Sequence, residues 1–241
     1  MITCKIRGLW GVMKDKKNYV YGLKECREQA LQALLAEYPS LPGLFGRMTA
    51  FFTNFSERLD GVEIADESMQ YKMLLAVSFM RTHVCACEHL FNSENIEGVT
   101  LLRKQLELIA RMREIDEKVL SKLYDKVPNV GFVGPMKVLY GLTSKIAHSA
   151  DMNSLDMLGF RMEGEMHKHI FLHPVYNDDT VHSINMAIGL FLMFVMEAIR
   201  LQQEMIPDYN NNEDGNMLMD FFQFGKSSGI PFFKKLELDN N

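Results

Sequence analysis

Apolar residues recur every three or four positions over most of the chain, which is the spacing of α-helices that bury one face. All seven prolines fall between these segments or near the chain ends. Because proline breaks helix interiors, it marks the boundaries. The pattern predicts six helices, at about residues 17–38, 44–59, 67–91, 94–126 (with a break near Asp116), 135–148 and 179–206.

Three residues have side chains that favour the N-terminus of a helix. Asp66 and Ser93 are placed to cap the third and fourth helices, and Pro135 suits the first position of the fifth. The sixth segment is apolar nearly all round, which predicts a central helix surrounded by neighbours. Its most apolar run, residues 186–196, is well short of the roughly 20 residues that cross a bilayer, so no membrane contact is expected.

The pattern changes between residues 158 and 175, where short apolar runs flank Gly164 and predict one β-hairpin. Beyond Pro207 no clear period is present, and we assign no structure there. The predicted fold class is therefore mostly all-α, a multi-helix bundle with one small β-hairpin near residues 158–175. Residues 1–206 form a single domain, and residues 207–241 form a C-terminal tail.

The composition narrows the classes of function. The chain has 241 residues, is 47% hydrophobic and carries a net charge of −5, so charge does not support binding of RNA or nucleotides. The four cysteines lack zinc-ribbon spacing, and the first residues lack the apolar run of a signal peptide. These features predict a cytoplasmic protein. Its 18 methionines suit core packing, or an adaptable surface that joins two copies in a homodimer.

The fourth helix carries a row of alternating charge, with Arg103, Glu107 and Arg111 four residues apart. On a solvated face such pairs contribute only about 0.2–0.5 kcal/mol each. The functional alternative is that Arg103 and Glu107 face a cleft. There the carboxylate would orient the guanidinium to bind a phosphate or a carboxylate.

The fifth helix carries a second row, Tyr140, Ser144 and His148, along one edge. The opposite, core-facing side is expected to carry Val138, Leu139, Leu142 and Ile146. The structural alternative is a polar edge on which His148 stabilises the helix C-terminus. The functional alternative is a site, shared with the arginine and glutamate of the fourth helix, in which His148 acts as acid, base or anion ligand.

Two other clusters raise the question of a metal. The hairpin contains His167, His169 and His173, and residues 83–89 contain two histidines and two cysteines. Both sets equally suit ordinary surface and core positions, so we predict no metal and no cofactor. The chain also lacks a phosphate-binding loop, a nucleophile elbow and a dinucleotide fingerprint.

The run Leu101-Leu102-Arg103 with Glu107, followed by the pattern Y-x3-S-x3-H at residues 140–148, resembles a bacterial helical family, domain of unknown function 5677. The resemblance covers about residues 67–201. That family has no assigned activity. The resemblance implies a helical fold and a catalytic or binding site formed by Arg103, Glu107, Tyr140, Ser144 and His148.

A wider similarity is to HEPN helical bundles, many of which are RNA-cleaving toxins or defence effectors with an R-x4-H motif. Here Thr143 stands where that arginine would be, so Arg103 would have to supply the cation from another helix. These resemblances imply a bacterial stress or phage-defence protein with a polar pocket. The alternatives are a HEPN-like, metal-independent ribonuclease and a non-catalytic interaction or regulatory protein.

Overall fold

The computed structural model describes residues 3–7, 19–148, 157, 160–163, 167–171 and 173–238. The protein is mostly helical, as the sequence predicts. Within these ranges lie eight α-helices: α1 Tyr19–Glu37, α2 Leu41–Arg58, α3 Glu67–Phe91, α4 Asn95–Glu117, α5 Lys137–Ala147, α6 Asp178–Met205, α7 Asn212–Ser227 and α8 Pro231–Leu238. Two 3-10 segments, Leu120–Lys122 and Val130–Met136, connect α4 to α5.

Helices α3, α4 and α6 pack on one another and form the centre of the bundle. The rings of Phe79 in α3 and Phe194 in α6 stack with centroids 4.3 Å apart, and Phe52 of α2 meets Phe194 edge-on. Among the described helices, α6 alone is long and apolar enough to cross a membrane by length and composition. In this fold 61% of its apolar window is buried inside the protein.

The predicted helix starts have different outcomes. Asp66 is confirmed as the cap of α3, because its side chain accepts a hydrogen bond from the Met69 amide at 2.8 Å. The prediction for Ser93 is wrong. Ser93 lies in the turn before α4 with a φ of 58°, and its buried hydroxyl accepts a hydrogen bond from Thr180. Glu94 occupies the cap position of α4 instead.

A small three-stranded sheet contains the segment predicted as a hairpin. Strand β2, Phe160–Glu163, pairs antiparallel with β3, His167–Phe171, so that Phe160 lies opposite Ile170. Gly164 lies outside the described residues. Strand β1, Thr3–Arg7, which the sequence did not predict, pairs parallel with the other edge of β3.

Residues 207–241, to which the sequence analysis assigned no structure, contain two helices. Helices α7 and α8 pack against α2, α6 and each other. The ring of Phe221 lies 5.1 Å from Phe191 of α6, and both Phe221 and Phe233 are buried. Asp214 at the start of α7 is buried and accepts a hydrogen bond from Arg58 of α2 at 2.7 Å. The hydrophobic core therefore continues past residue 206.

Candidate functional site

Helices α4 and α5 pack side by side and bring the two predicted rows together. On α5, Thr143 and Ile146 are buried and Tyr140 packs against the core. This places the tyrosine ring over the side of α4 that carries Arg103 and Glu107. Contact between the two helices therefore places their polar side chains within hydrogen-bonding distance.

Arg103, Glu107 and Tyr140 form a closed hydrogen-bonded cluster. Nη2 of Arg103 donates to the Tyr140 hydroxyl at 3.1 Å, and that hydroxyl donates to Oε1 of Glu107 at 3.0 Å. The same Nη2 lies 3.0 Å from Oε1 of Glu107. The centre of the guanidinium lies 5.3 Å from the centroid of the tyrosine ring, within cation–π range. The guanidinium is thus held through one of its three nitrogens.

The electrostatics of the cluster keep Arg103 charged and leave donors unused. The hydrogen bond to Tyr140 raises the pKa of Arg103, burial opposes that shift, and the charge of Glu107 adds to it. Nε of Arg103 is buried without a partner. Nη1 forms no hydrogen bond to any residue that the structure describes. Because the side chain is 21% exposed, an outside group can approach the guanidinium.

Ser144 and His148 do not join this cluster in the described part of the chain. Ser144 is half-buried one turn beyond Tyr140, and its carbonyl accepts a hydrogen bond from the His148 amide at 3.0 Å. His148 is the exposed residue that ends α5. At 1.5 Å per residue it lies about 12 Å from Tyr140 along the helix. The structure brings three of the five predicted residues together and places the other two along the same helix.

The expected core side of α5 is confirmed for Leu139 and Ile146 and wrong for Val138 and Leu142. Val138 is 82% exposed and Leu142 is 44% exposed. The buried side is instead centred on Thr143 and Ile146, because α5 is rotated so that these residues, together with Leu139, contact the bundle. Assigning every apolar residue to the core led to this error, since short helices at a surface often expose apolar side chains.

The third residue of the α4 row, Arg111, also departs from the expected surface position. It is buried, pairs with Glu114 at 3.2 Å and donates to the carbonyl of Lys126. Its role is to hold the segment after α4 against the helix. The site therefore contains only the first two residues of the predicted charge row.

The described residues contain no group of three or more histidines, cysteines or carboxylates that would hold a metal ion. Along α3, His83 and Cys87 are buried whereas Cys85 is exposed, so these side chains point in different directions. The side chains of His167 and His169 lie outside those that the structure describes.

Sequence reasoning missed a second set of charged side chains, in which Glu197 of α6 binds Arg113 and Arg200. The available signal was the carboxylate itself, since a glutamate inside an otherwise apolar helix needs partners. Arg200 is three residues from Glu197, a spacing visible in the sequence, whereas Arg113 is 84 residues away on another helix and no motif reveals it.

In comparisons with known proteins, no family model matches the chain, and no curated protein or solved structure is significantly similar to it. A functional proposal therefore has to rest on the geometry of the residues.

Proposed function

We propose that this is a cytoplasmic bacterial protein of stress or phage defence that binds a phosphate-bearing ligand at the Arg103–Glu107–Tyr140 cluster. The observation that carries the proposal is the state of Arg103. Tyr140 and Glu107 hold its guanidinium through Nη2 alone, so Nη1 remains to donate a hydrogen bond to an anion. A guanidinium fixed in this way loses little entropy when it donates to a phosphate.

The charge around the cluster supports an anionic ligand. Lys104 of α4 and Lys137 and Lys145 of α5 are all exposed. Residues 126–150 contain three lysines and neither aspartate nor glutamate, although the whole chain carries a net charge of −5. A local positive surface on an acidic protein attracts anions at short range. Ser144 and His148 extend this surface with a hydroxyl and an imidazole.

Binding is better supported than cleavage. A general acid or base must lie within about 3 Å of the proton that it transfers, or act through one water. His148 stands about 12 Å along α5 from the tyrosine that holds Arg103. A single phosphate group held by Arg103 would therefore not meet His148 directly. Metal-independent RNA cleavage remains the alternative activity for a longer substrate that spans both residues.

The test is fluorescence polarisation with a labelled ten-nucleotide RNA and with free nucleotides, in EDTA. We expect the wild type to bind, and Arg103→Ala to weaken binding by about tenfold or more, because hydrogen bonds to charged groups contribute about 1.5–3 kcal/mol. The matched control is Arg81→Ala, which removes an exposed arginine of α3. Equal weakening by both variants, or no binding by the wild type, would contradict the proposal. RNA cleavage that requires both Arg103 and His148 would establish the ribonuclease alternative.

The second candidate function is a non-catalytic interaction protein that forms a homodimer. The observation in its favour is the exposure of Val138 and Leu142 on the outer side of α5. Light scattering at increasing concentration should then show a dimer that Val138→Ser with Leu142→Ser weakens. Leu74→Ser, which changes an exposed leucine of α3, is the control. A monomer at every concentration would argue against this function.

A further inference from the structure

A groove of about 930 Å³ lies on another part of the bundle, between the end of α4, the second half of α6 and the residue before α7. Its volume is in the range of about 300–1,000 Å³ that small-molecule sites occupy. None of the five residues of the candidate site lines it. The groove is therefore a separate feature with its own chemistry.

The floor of the groove is an arginine pair fixed by one buried carboxylate. Glu197 is only 5% exposed. Its Oε1 accepts from Nε of Arg113 at 2.6 Å, and its Oε2 accepts from Nη2 of Arg200 at 2.8 Å. Since both oxygens of the carboxylate are bound, the two guanidiniums lie beside each other in set orientations.

Each arginine has a second partner and still has a donor left over. Nη1 of Arg113 donates to the Phe132 carbonyl at 3.1 Å, and its Nη2 forms no hydrogen bond to the described residues. Nη1 of Arg200 donates to Asp116. Nε of Arg200 is buried without a partner. An unpaired buried donor destabilises the folded state, and a ligand oxygen near this nitrogen would supply the missing acceptor.

The walls of the groove are apolar and adaptable. Met196 of α6 is 61% exposed, and Phe132 and Ile199 beside it are half-buried. Methionine at a binding surface adjusts to ligands of different shape. An apolar body lying here would remove this surface from water.

The groove is lined by two arginines and by the carboxylates of Asp116, Glu117 and Glu197, so its preference for an anion rests on oriented donors and not on net charge. Asp116 is bound by the buried ammonium of Lys72 as well as by Arg200. Glu117 is exposed at the rim, where water screens its charge. Glu197 is buried, whereas the side chains of Arg113 and Arg200 are 31% and 36% exposed and reach the groove.

We propose that this groove binds a small organic anion, a carboxylate or phosphate monoester with an apolar body. The oxyanion accepts hydrogen bonds from Arg113 and Arg200, and the apolar body packs on Met196, Phe132 and Ile199. Glu197 is a positioning residue that orients both guanidiniums and does not touch the ligand.

The proposal is tested by calorimetric titration of the full chain with octanoate and octyl phosphate, with 1-octanol and octylammonium as neutral and cationic counterparts. We expect binding of the two anions only. Arg200→Lys keeps the charge beside Glu197 but removes the fork, and should weaken anion binding about tenfold. Its control is Arg47→Lys, which makes the same exchange in the Arg47–Asp220 ion pair of α2 and α7.

A second pair of variants tests the apolar wall without touching the ion pairs. Met196→Ser should weaken binding roughly threefold through lost apolar contact. Met219→Ser changes a methionine of α7 with nearly the same exposure, 59%, and should have no effect. This pair decides the matter if Arg200→Lys fails to fold. Equal binding of 1-octanol, preference for octylammonium, or no binding of either anion would overturn the proposal.

Discussion

His83 is a titratable side chain enclosed in the hydrophobic core. Its ring stacks on Phe79 with centroids 5.6 Å apart, and Phe52 meets it edge-on. Nδ1 lies 3.0 Å from Oε1 of Gln105, and Nε2 is buried without a partner. Burial lowers the pKa of His83 to about 4, against the opposing effect of the hydrogen bond to Gln105. The neutral imidazole is therefore part of the folded state.

This pKa makes stability depend on pH in a defined window. The unfolded chain binds a proton at His83 below about pH 6.5, whereas the folded chain does so only below about pH 4. The contribution of neutral His83 to the free energy of unfolding is fully present above about pH 6.5 and is lost as the pH falls towards 4. The free energy of unfolding measured with urea should be about 2 kcal/mol lower at pH 5 than at pH 7. In His83→Leu this difference should shrink, and an unchanged pH dependence would contradict the prediction.

For individual residues, the sequence predicts ion pairs within one helix, but it does not predict pairs that form between separate segments. Arg103 and Glu107 are four residues apart, so their ion pair follows from helix geometry. The burial of Arg111 does not, because its partner is the carbonyl of Lys126 in the following loop. A single sequence does not show which way that loop turns.

Among the elements, the long amphipathic helices were the most predictable. Helix α3 spans the predicted residues 67–91, and its cap at Asp66 follows from residue type and position. Helix α4 ends at Glu117, beside the break predicted near Asp116 and short of residue 126. There Lys118 adopts an extended conformation, which ends the helix. The periodicity of apolar residues therefore predicts the positions of helices accurately and their ends less accurately.

Helices α7 and α8 were missed for a physical reason. Asparagines and glycines before and within α7 favour loops in isolation. In the folded protein, burial of Phe221 and Phe233 outweighs those local preferences. Gly225 also has a specific role, since a side chain at this position would collide with the Phe233 ring.

This contact predicts opposite effects for the same substitution at two glycines of α7. Gly225→Ala should destabilise the protein by about 1–3 kcal/mol, because α8 must move away from α7. At Gly215 no atom lies within 4 Å of an added Cβ, so Gly215→Ala should stabilise by roughly 0.5–1 kcal/mol through helix propensity. Urea unfolding of both variants measures the difference. Equal effects would show that α8 does not pack on α7 in this way.

For the whole molecule, the central helices are joined by charge as well as by apolar contact. Lys72 of α3 is buried and lies 3.0 Å from Glu204 of α6, and it also binds Asp116 of α4. The prediction of a long apolar sixth helix is confirmed. These ionic links were not predictable, because their partners are more than 40 residues apart and share no motif.

The arrangement around Glu197 also has a consequence for how this chain changes in evolution. Removing Glu197 leaves Arg113 without its carboxylate partner, and removing either arginine leaves one buried oxygen of Glu197 unbound, whereas exchanging the set for apolar residues does neither. The residues at these three positions are therefore expected to change together in evolution. Descendant sequences should keep all three residues or lose them together, and this joint loss would also mark the lineages in which the groove no longer selects an anion.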